Sequence, residues 1–249
     1  MTIFLQDTYA VIWTELRFLL RFWRRTLFSS LVAPLLYLLA FGYGLGRSID
    51  VEGTNYLLFV IPGIIALTAM SSSYNGAGMK LHIDKIYYKS FDEMLMSPVS
   101  LGSVVIGRAL SGVLRGSVSA GAFIIIGLIL APEITINIAF ILVLFLSMLM
   151  FSFLGVTTAL VANSHQDMIT FSNVVILPMT FLGGTFFSLE QVPMLLKGLL
   201  YALPLTHTSQ TLRAIALGQD FPWYSLLALA LFTLVFYAIA FYKLKKVSI

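Results

Sequence analysis

The chain has 249 residues, of which 59% are hydrophobic and only 10% charged, against roughly 25% charged in an ordinary soluble domain. Its apolar residues come in long blocks, the mark of membrane spans, and leave no room for a soluble catalytic domain of ordinary size. The net charge of +4 comes from basic residues beside those blocks, which suits topology control and lipid headgroups better than nucleic acid; the absence of cysteine excludes disulfides, thiolate metal sites and cysteine nucleophiles.

From the N-terminus, residues 4–25 read as an amphipathic helix. Tyr9, Ile12, Trp13, Leu16, Leu19, Leu20 and Trp23 recur on one face, and Asp7, Thr14, Arg17, Arg21 and Arg24 on another. A basic, aromatic-rich helix of this kind lies in the membrane interface; the plainer alternative is a solvated lead-in to the first span. Asp7, Glu15, Arg17 and Arg21 interrupt the apolar stretch, so it is not expected to be a cleavable signal peptide. Six spans are predicted next, at 27–46, 56–76, 104–131, 134–161, 169–187 and 223–242. Each is long enough for a hydrocarbon core of about 30 Å at about 1.5 Å per residue. Pro34, Pro62 and Pro178 lie inside spans and predict kinks. The stretch 189–217 contains Pro193, Lys197 and Pro204, is too interrupted to span, and reads as a re-entrant or surface-lying helical pair between the fifth and sixth spans. The expected fold is an all-α membrane protein: a cytoplasmic amphipathic helix over 1–26 and a six-span domain over 27–249.

Lysine and arginine set the expected orientation. With the N-terminus inside, ten basic residues are cytoplasmic: Arg17, Arg21, Arg24, Arg25, Lys80, Lys85, Lys89, Lys243, Lys245 and Lys246. Three, Arg47, Lys197 and Arg213, are outside. Six spans then return the C-terminus to the cytoplasm. Arg108 and Arg115 lie seven residues apart, on one face of the third span. They read either as the polar lining of a transport path or as side chains snorkelling to headgroups, with snorkelling favoured for Arg108. The Gly112-x-x-x-Gly116 pair on the same helix predicts close packing.

Few residues suggest chemistry. The topology puts His82 and His165 inside and His207 outside, so the three cannot meet at one metal, and no metal site is expected. Ser164, His165 and Asp167 are triad types but near neighbours, which fits a polar turn better than a catalytic triad. No phosphate-loop pattern occurs, so any ATP must be handled by another polypeptide. The connection 79–100 mixes Lys80, Asp84, Lys85, Lys89, Asp92 and Glu93 with Ile86, Tyr87, Tyr88 and Phe91. That combination suits a docking surface, the alternative being a loop packed on headgroups. Two other classes stay in view: an ion-coupled transporter, which would want mid-membrane carboxylates where none of the eleven acidic residues is placed, and a scaffold without transport. An intramembrane enzyme would want facing His, Asp or Glu side chains, and no such cluster is evident.

The stretch Phe91-Asp92-Glu93-Met94-Leu95-Met96-Ser97-Pro98-Val99-Ser100 resembles the signature loop of type-2 ABC transporter permeases. So do Val60-Ile61-Pro62-Gly63, Leu177-Pro178 with Phe181 through Leu189 and Pro193, and Pro204-Leu205 with Leu212-Arg213 and Gly218. The resemblance covers essentially the whole chain in order and spacing, and is nearest to short bacterial permeases that export nodulation factors, drugs and O-antigen. It implies an inner-membrane exporter subunit without enzymatic activity. Two permeases, usually identical, would work with two soluble ATPase subunits that bind ATP and magnesium. The resemblance further implies that Asp84, Lys85, Lys89, Phe91, Asp92 and Glu93 couple to that ATPase. Arg17, Arg21, Arg24 and Arg25 would belong to a cytoplasmic gate helix. Phe181, Phe186, Phe187 and Arg213 would lie at the external exit. The cargo it implies is a lipid, a glycolipid or polysaccharide, or a hydrophobic drug-like molecule.

Overall fold

The computed structural model describes residues 2–45, 50–51, 54–189 and 192–247; Arg47 lies outside them. Helices dominate. Helix α1 (Thr2–Tyr37) widens into a π-helical stretch, Leu38–Leu45. Two-residue strands β1 (Asp50–Val51) and β2 (Thr54–Asn55) pair antiparallel. Helix α2 (Tyr56–Ile83) runs on as a π-helical turn, Asp84–Tyr88, and the short α3 (Ser90–Met96) follows. Then come α4 (Leu101–Leu130), α5 (Ile138–Val161), α6 (His165–Phe171), a π-helical turn Ser172–Ile176, and α7 (Leu177–Leu182). The C-terminal part holds α8 (Met194–Tyr201), α9 (Pro204–Ala216) and α10 (Trp223–Val247).

The helix starts are written in local chemistry. Asn55, Ser100 and Asn137 each accept a backbone N–H of the first turn of α2, α4 and α5, replacing a partner that a helix N-terminus lacks. Ser164 and Asp167 form a reciprocal capping box at α6, so the Ser-His-Asp sequence is indeed a polar turn. Pro204 stands in the first turn of α9, where its missing N–H costs nothing.

Among the described residues, five helices are long and apolar enough to cross a membrane: Phe4–Gly44, Tyr56–Tyr88, Leu101–Leu130, Ile138–Val161 and Trp223–Lys246. The fifth predicted span is a shorter matter. Its described helix is the 18-residue run 165–182, roughly 27 Å long, and its last predicted residues, Gly183–Phe187, are non-helical. It nevertheless passes from one apolar cluster to the other: Met168 packs in the cluster with Phe91 and Leu244, and Met179 in the larger cluster with Phe59 and Phe186.

Three further boundaries differ from the sequence expectation. No break falls at residue 26. The N-terminal helix and the first span are one element, and its departure from helical geometry is at Phe22 (φ −120°, ψ 20°) rather than at Pro34. The connection 79–100 is mostly helical, because α2 outlasts its predicted end and α3 forms within it. Only Lys89, in the left-handed region at φ 59°, and 97–100 are irregular there. At Pro178 the helix accommodates the ring by widening over Ser172–Ile176 instead of bending at the proline itself.

Helix α2 is the axis of the fold. Twenty of its 28 residues are buried, the pattern of a helix enclosed on all sides. Helices α4 and α5 flank it closely. A Cβ on Gly155 would sit 2.5 Å from the Tyr74 carbonyl oxygen, and one on Gly78 would sit 2.7 Å from that of Gly155. Gly112 meets the Ser73 carbonyl and Ala77 in the same way, so the predicted Gly112/Gly116 seam packs against α2 and α5. The first and last spanning helices are the opposite. They present Phe28, Val32 and Leu36, and Leu227, Leu231 and Leu234, to their surroundings, as helices in contact with lipid or a second protein do. Both described chain ends lie at one end of the bundle with α3: Ser103 Oγ donates to the Phe4 carbonyl, and Leu244 packs with Phe91 and Val104.

Because backbone cannot retreat as a side chain can, Gly155→Val should destabilise the bundle by about 3 kcal/mol or more. Gly121→Ala, with open space around it, should be neutral. Thermal unfolding of both variants in detergent, followed by size-exclusion chromatography, checks this; equal melting would contradict the packing.

Candidate functional site

A cavity of about 460 Å³, apolar over more than half of its wall but rich in hydroxyl and amide groups, lies between α1, α2 and the 165–182 helix. Thr26, Ser29 and Ser30 line it from α1, Thr68, Ser71 and Asn75 from α2, and Ser172, Asn173 and Thr180 from the third wall. Arg115 and Ser119 of α4 close it, and among the described residues Arg115 is its one charged lining residue. Isolated polar residues in membrane helices face a bundle interior or an aqueous space; here they converge on one.

Arg115 belongs at the same time to a charged network. Its Nε donates to Glu15 Oε1 at 2.5 Å, and Lys80 Nζ lies 3.4 Å from Glu15 Oε2. Glu15 is 1% exposed. Phe18, close to one helical turn further on, has Lys80 and Arg115 over its ring at 4.9 and 5.2 Å, which favours both cations. Thus α1 is tied to α4 and α2 through one carboxylate. The sequence placed no carboxylate inside the bundle. Glu15 is one, and nothing in the local spacing of α1 marks it, since its cations lie far along the chain on other helices.

Arg108 neither lines the cavity nor snorkels. It is buried and donates to Asp84 Oδ2 at 2.6 Å, linking α4 to the end of α2. The six residues expected to couple to an ATPase divide accordingly. Asp84 is buried in that pair, and Phe91 is fully buried beneath α3. Lys85 Nζ donates to the carbonyls of Leu160 and Ala162, where α5 ends and where cations are favoured. Lys89, Asp92 and Glu93 are exposed, with Tyr87, Tyr88 and Met96 beside them. Of the gate-helix residues, Arg17, Arg21, Arg24 and Arg25 are all exposed. Arg17, Arg21 and Arg24 stack over Trp13, Phe22 and Trp23.

At the opposite end, Phe186 stacks on Phe41 with centroids 4.3 Å apart and sits near Tyr37 and Phe181. Phe187 is half-buried. Arg213 is buried, donates to the carbonyls of Phe59 and Gly184, and lies 3.6 Å above the Phe59 ring. It fastens α9 to the start of α2 and to the turn after α7, a buried structural clamp. Beside it His207 bridges α9 to its neighbours: Nε2 donates to the Tyr201 carbonyl and Nδ1 accepts from Ser225 Oγ, the tautomer this network selects. At the α3 end His82 and His165 do approach, with ring centroids 6.0 Å apart. Among the described residues, however, no three His, Asp or Glu side chains converge as metal ligands. Asp167, beside them, spends Oδ2 on the backbone N–H groups of Asn163 and Ser164.

Two outcomes are expected. Arg108→Ala leaves a buried carboxylate without its partner and should cost about 3–5 kcal/mol. The paired neutral change Asp84→Asn/Arg108→Gln should recover much of that in a thermal-shift assay; an undiminished loss would show that the pair is not the cause. Burial lowers the His207 pKa, against the backbone hydrogen bond to Tyr201. A depressed folded value means stability is full above the ordinary histidine pKa of about 6.5 and falls as pH drops through the folded value. Melting temperature should therefore fall below about pH 6.5, and His207→Gln should flatten the part of the profile that His207 contributes.

Comparison with known proteins places this architecture. A family model described as ABC-2 type transporter matches residues 6–217. The inner membrane transport permease YadH of Escherichia coli (strain K12) is 28% identical over 235 residues, covering 93% of this chain and 90% of YadH. Nodulation protein J of Neorhizobium galegae is 27% identical over 199 residues, 79% of this chain and 76% of that protein. Its counterpart in Rhizobium meliloti (strain 1021) is 26% identical over 203 residues, at 79% and 78%.

Proposed function

The chain belongs to the ABC-2 type transporter family, a family of multi-pass membrane transport proteins, and on that premise we propose that it is the permease subunit of an ATP-driven exporter in the inner membrane. In this reading six segments cross the bilayer, the 165–182 helix being the fifth in chain order, and both chain ends with α3 face the cytoplasm. The segment 189–217, with α8 and α9, lies at the outer side as a re-entrant pair. ATP and magnesium are handled by a soluble ATPase, two copies of which serve two permease copies. The cargo is a lipid, a glycolipid or polysaccharide, or a hydrophobic drug-like molecule, and the cavity is part of its path.

The observation that carries the reading is α3. It is a seven-residue helix at one end of the bundle, anchored by Phe91 at 0% exposure, with Asp92, Glu93 and Met96 turned outward. A short helix that is rooted in the core yet presents a charged and apolar outer face transmits displacement rather than absorbing it. Lys89, in its left-handed conformation, sets the angle at which α3 leaves α2. The Asp84–Arg108 pair sits at the top of that lever.

Purification from native membranes in mild detergent should recover a stoichiometric soluble ATPase that has a phosphate loop. Recovery of the chain alone across several detergents would count against the ATP-driven mechanism. Glu93→Lys should reduce that co-purification and cargo export by roughly tenfold or more, as expected for a reversed interfacial charge, while the variant still inserts and melts normally.

A further inference from the structure

The cavity holds one charged side chain among the described residues, and that side chain is already engaged from the other direction. Arg115 spends Nε on Glu15, whereas Nη1 and Nη2 have no hydrogen-bond partner among the described residues. Its side chain keeps 20% of its surface exposed. A guanidinium offers a planar fork that matches a carboxylate or a phosphate with two parallel hydrogen bonds. The other polar side chains on the described cavity wall are hydroxyls or neutral amides, and no carboxylate is among them. The cavity therefore disfavours cations and offers an anion one place to settle.

We infer that Arg115 binds an anionic oxygen group, a phosphate or carboxylate, of the molecule occupying the cavity, and that this group displaces Glu15 and so frees the N-terminal arm of α1. The inference deepens the proposed transport path and rests on it for the identity of the occupant as cargo. Turning the Nη1/Nη2 edge into the cavity to grip a second anion draws Nε away from Glu15 Oε1. Glu15 is the arm's charged tie, its two oxygens meeting cations on two different helices, α4 and α2. When Arg115 turns to a cavity anion, Glu15 keeps only the longer contact to Lys80. The arm then loses its charged tie to α4 on the N-terminal side of Phe22, where α1 already departs from helical geometry, and keeps the neutral contacts of Phe4 and Val11 with α4. Four exposed arginines, Arg17, Arg21, Arg24 and Arg25, give an approaching anion a favourable field before it reaches the cavity. Occupancy is thereby converted into a loosening of the arm of α1.

Release of the arm can be read without a partner protein, because the chain has no cysteine. Leu19 lies one helical turn beyond Glu15 and is 5% exposed. Leu19→Cys in the full-length chain, labelled by a charged maleimide, reports the arm directly. In phosphatidylcholine nanodiscs, labelling should be slow. It should rise about tenfold, the weight of one hydrogen bond to a charged group, when the nanodisc contains phosphatidylglycerol if the anion is a lipid headgroup, or when inorganic phosphate is added if a soluble phosphate suffices. Potassium chloride at matched ionic strength controls for screening. Glu15→Gln in the same background should label fast under every condition. The exchange Glu15→Arg with Arg115→Glu should label slowly and ignore both anions, because it restores the tie but removes the cavity cation. Unchanged labelling with both anions, an equal rise with chloride, or slow labelling of Glu15→Gln would each overturn the inference. None of these readings depends on whether an ATPase co-purifies, so failure here is distinct from failure of the exporter reading.

Discussion

The bundle turns on the approach of α2 to α5 at Gly78 and Gly155, where two backbones meet with no side chain between them. Lipid offers helices no hydrophobic reason to associate, so close packing and polar contacts must hold them together. The glycines supply the packing. The approach also lines up the polar groups at the lower end of α2: with α5 this close, Lys85 reaches the carbonyls that end α5, and with α4 seated at Gly112, Asp84 reaches Arg108. Widening the seam by a methyl group would separate partners that only this spacing brings into contact.

The charges form two rungs one helical turn apart on α2. Asp84 pairs with Arg108, and Lys80 shares Glu15 with Arg115. Alone, each ion would be too costly to bury, and a buried pair roughly breaks even against apolar packing. Their value here is positional. The lower rung stands where α2 gives way to the turn leading to α3, and the upper rung holds the arm of α1. A continuous series of helices and charged contacts thus joins the turn before α3 to the arm of α1.

Much of this architecture was legible in the sequence, for physical reasons that differ between its parts. Long apolar blocks located most of the spanning helices within a few residues, because burial in lipid allows few alternatives to a helix. The small-residue seam of α4 was legible because Gly112 and Gly116 recur at one-turn spacing. What the sequence hid was partnership across distance. Glu15 looked like a polar interruption of a surface helix, and only the fold shows that Arg115, 100 residues away, neutralises it. Snorkelling was favoured for Arg108 for the same reason: its partner, Asp84, lay in a stretch that read as a docking surface rather than as part of the bundle. That stretch is helical because Phe91 and Leu81 have a core to enter, which no local pattern announces. Arg213 likewise resembled an external surface charge until its carbonyl partners were seen.

The cavity's hydroxyl groups have a property that bears on transport. Thr68, Thr180, Ser29 and Ser30 each donate to a carbonyl of their own helix, to Ile64, Ile176, Thr26 and Leu27, and Asn75 donates to Ser71. These four hydroxyl donors are therefore satisfied whether or not the cavity is occupied, which is how such side chains sit in a membrane helix at little cost. What these residues leave available to an occupant is mainly a set of oxygen acceptors with no unmet demand. A wall of that kind can be wetted and can exchange weak hydrogen bonds with a polar cargo without gripping it, and a path must release what it admits. Selective attraction is then left to the charged group with donors to spare, Arg115, at the point where the cavity meets the arm of α1.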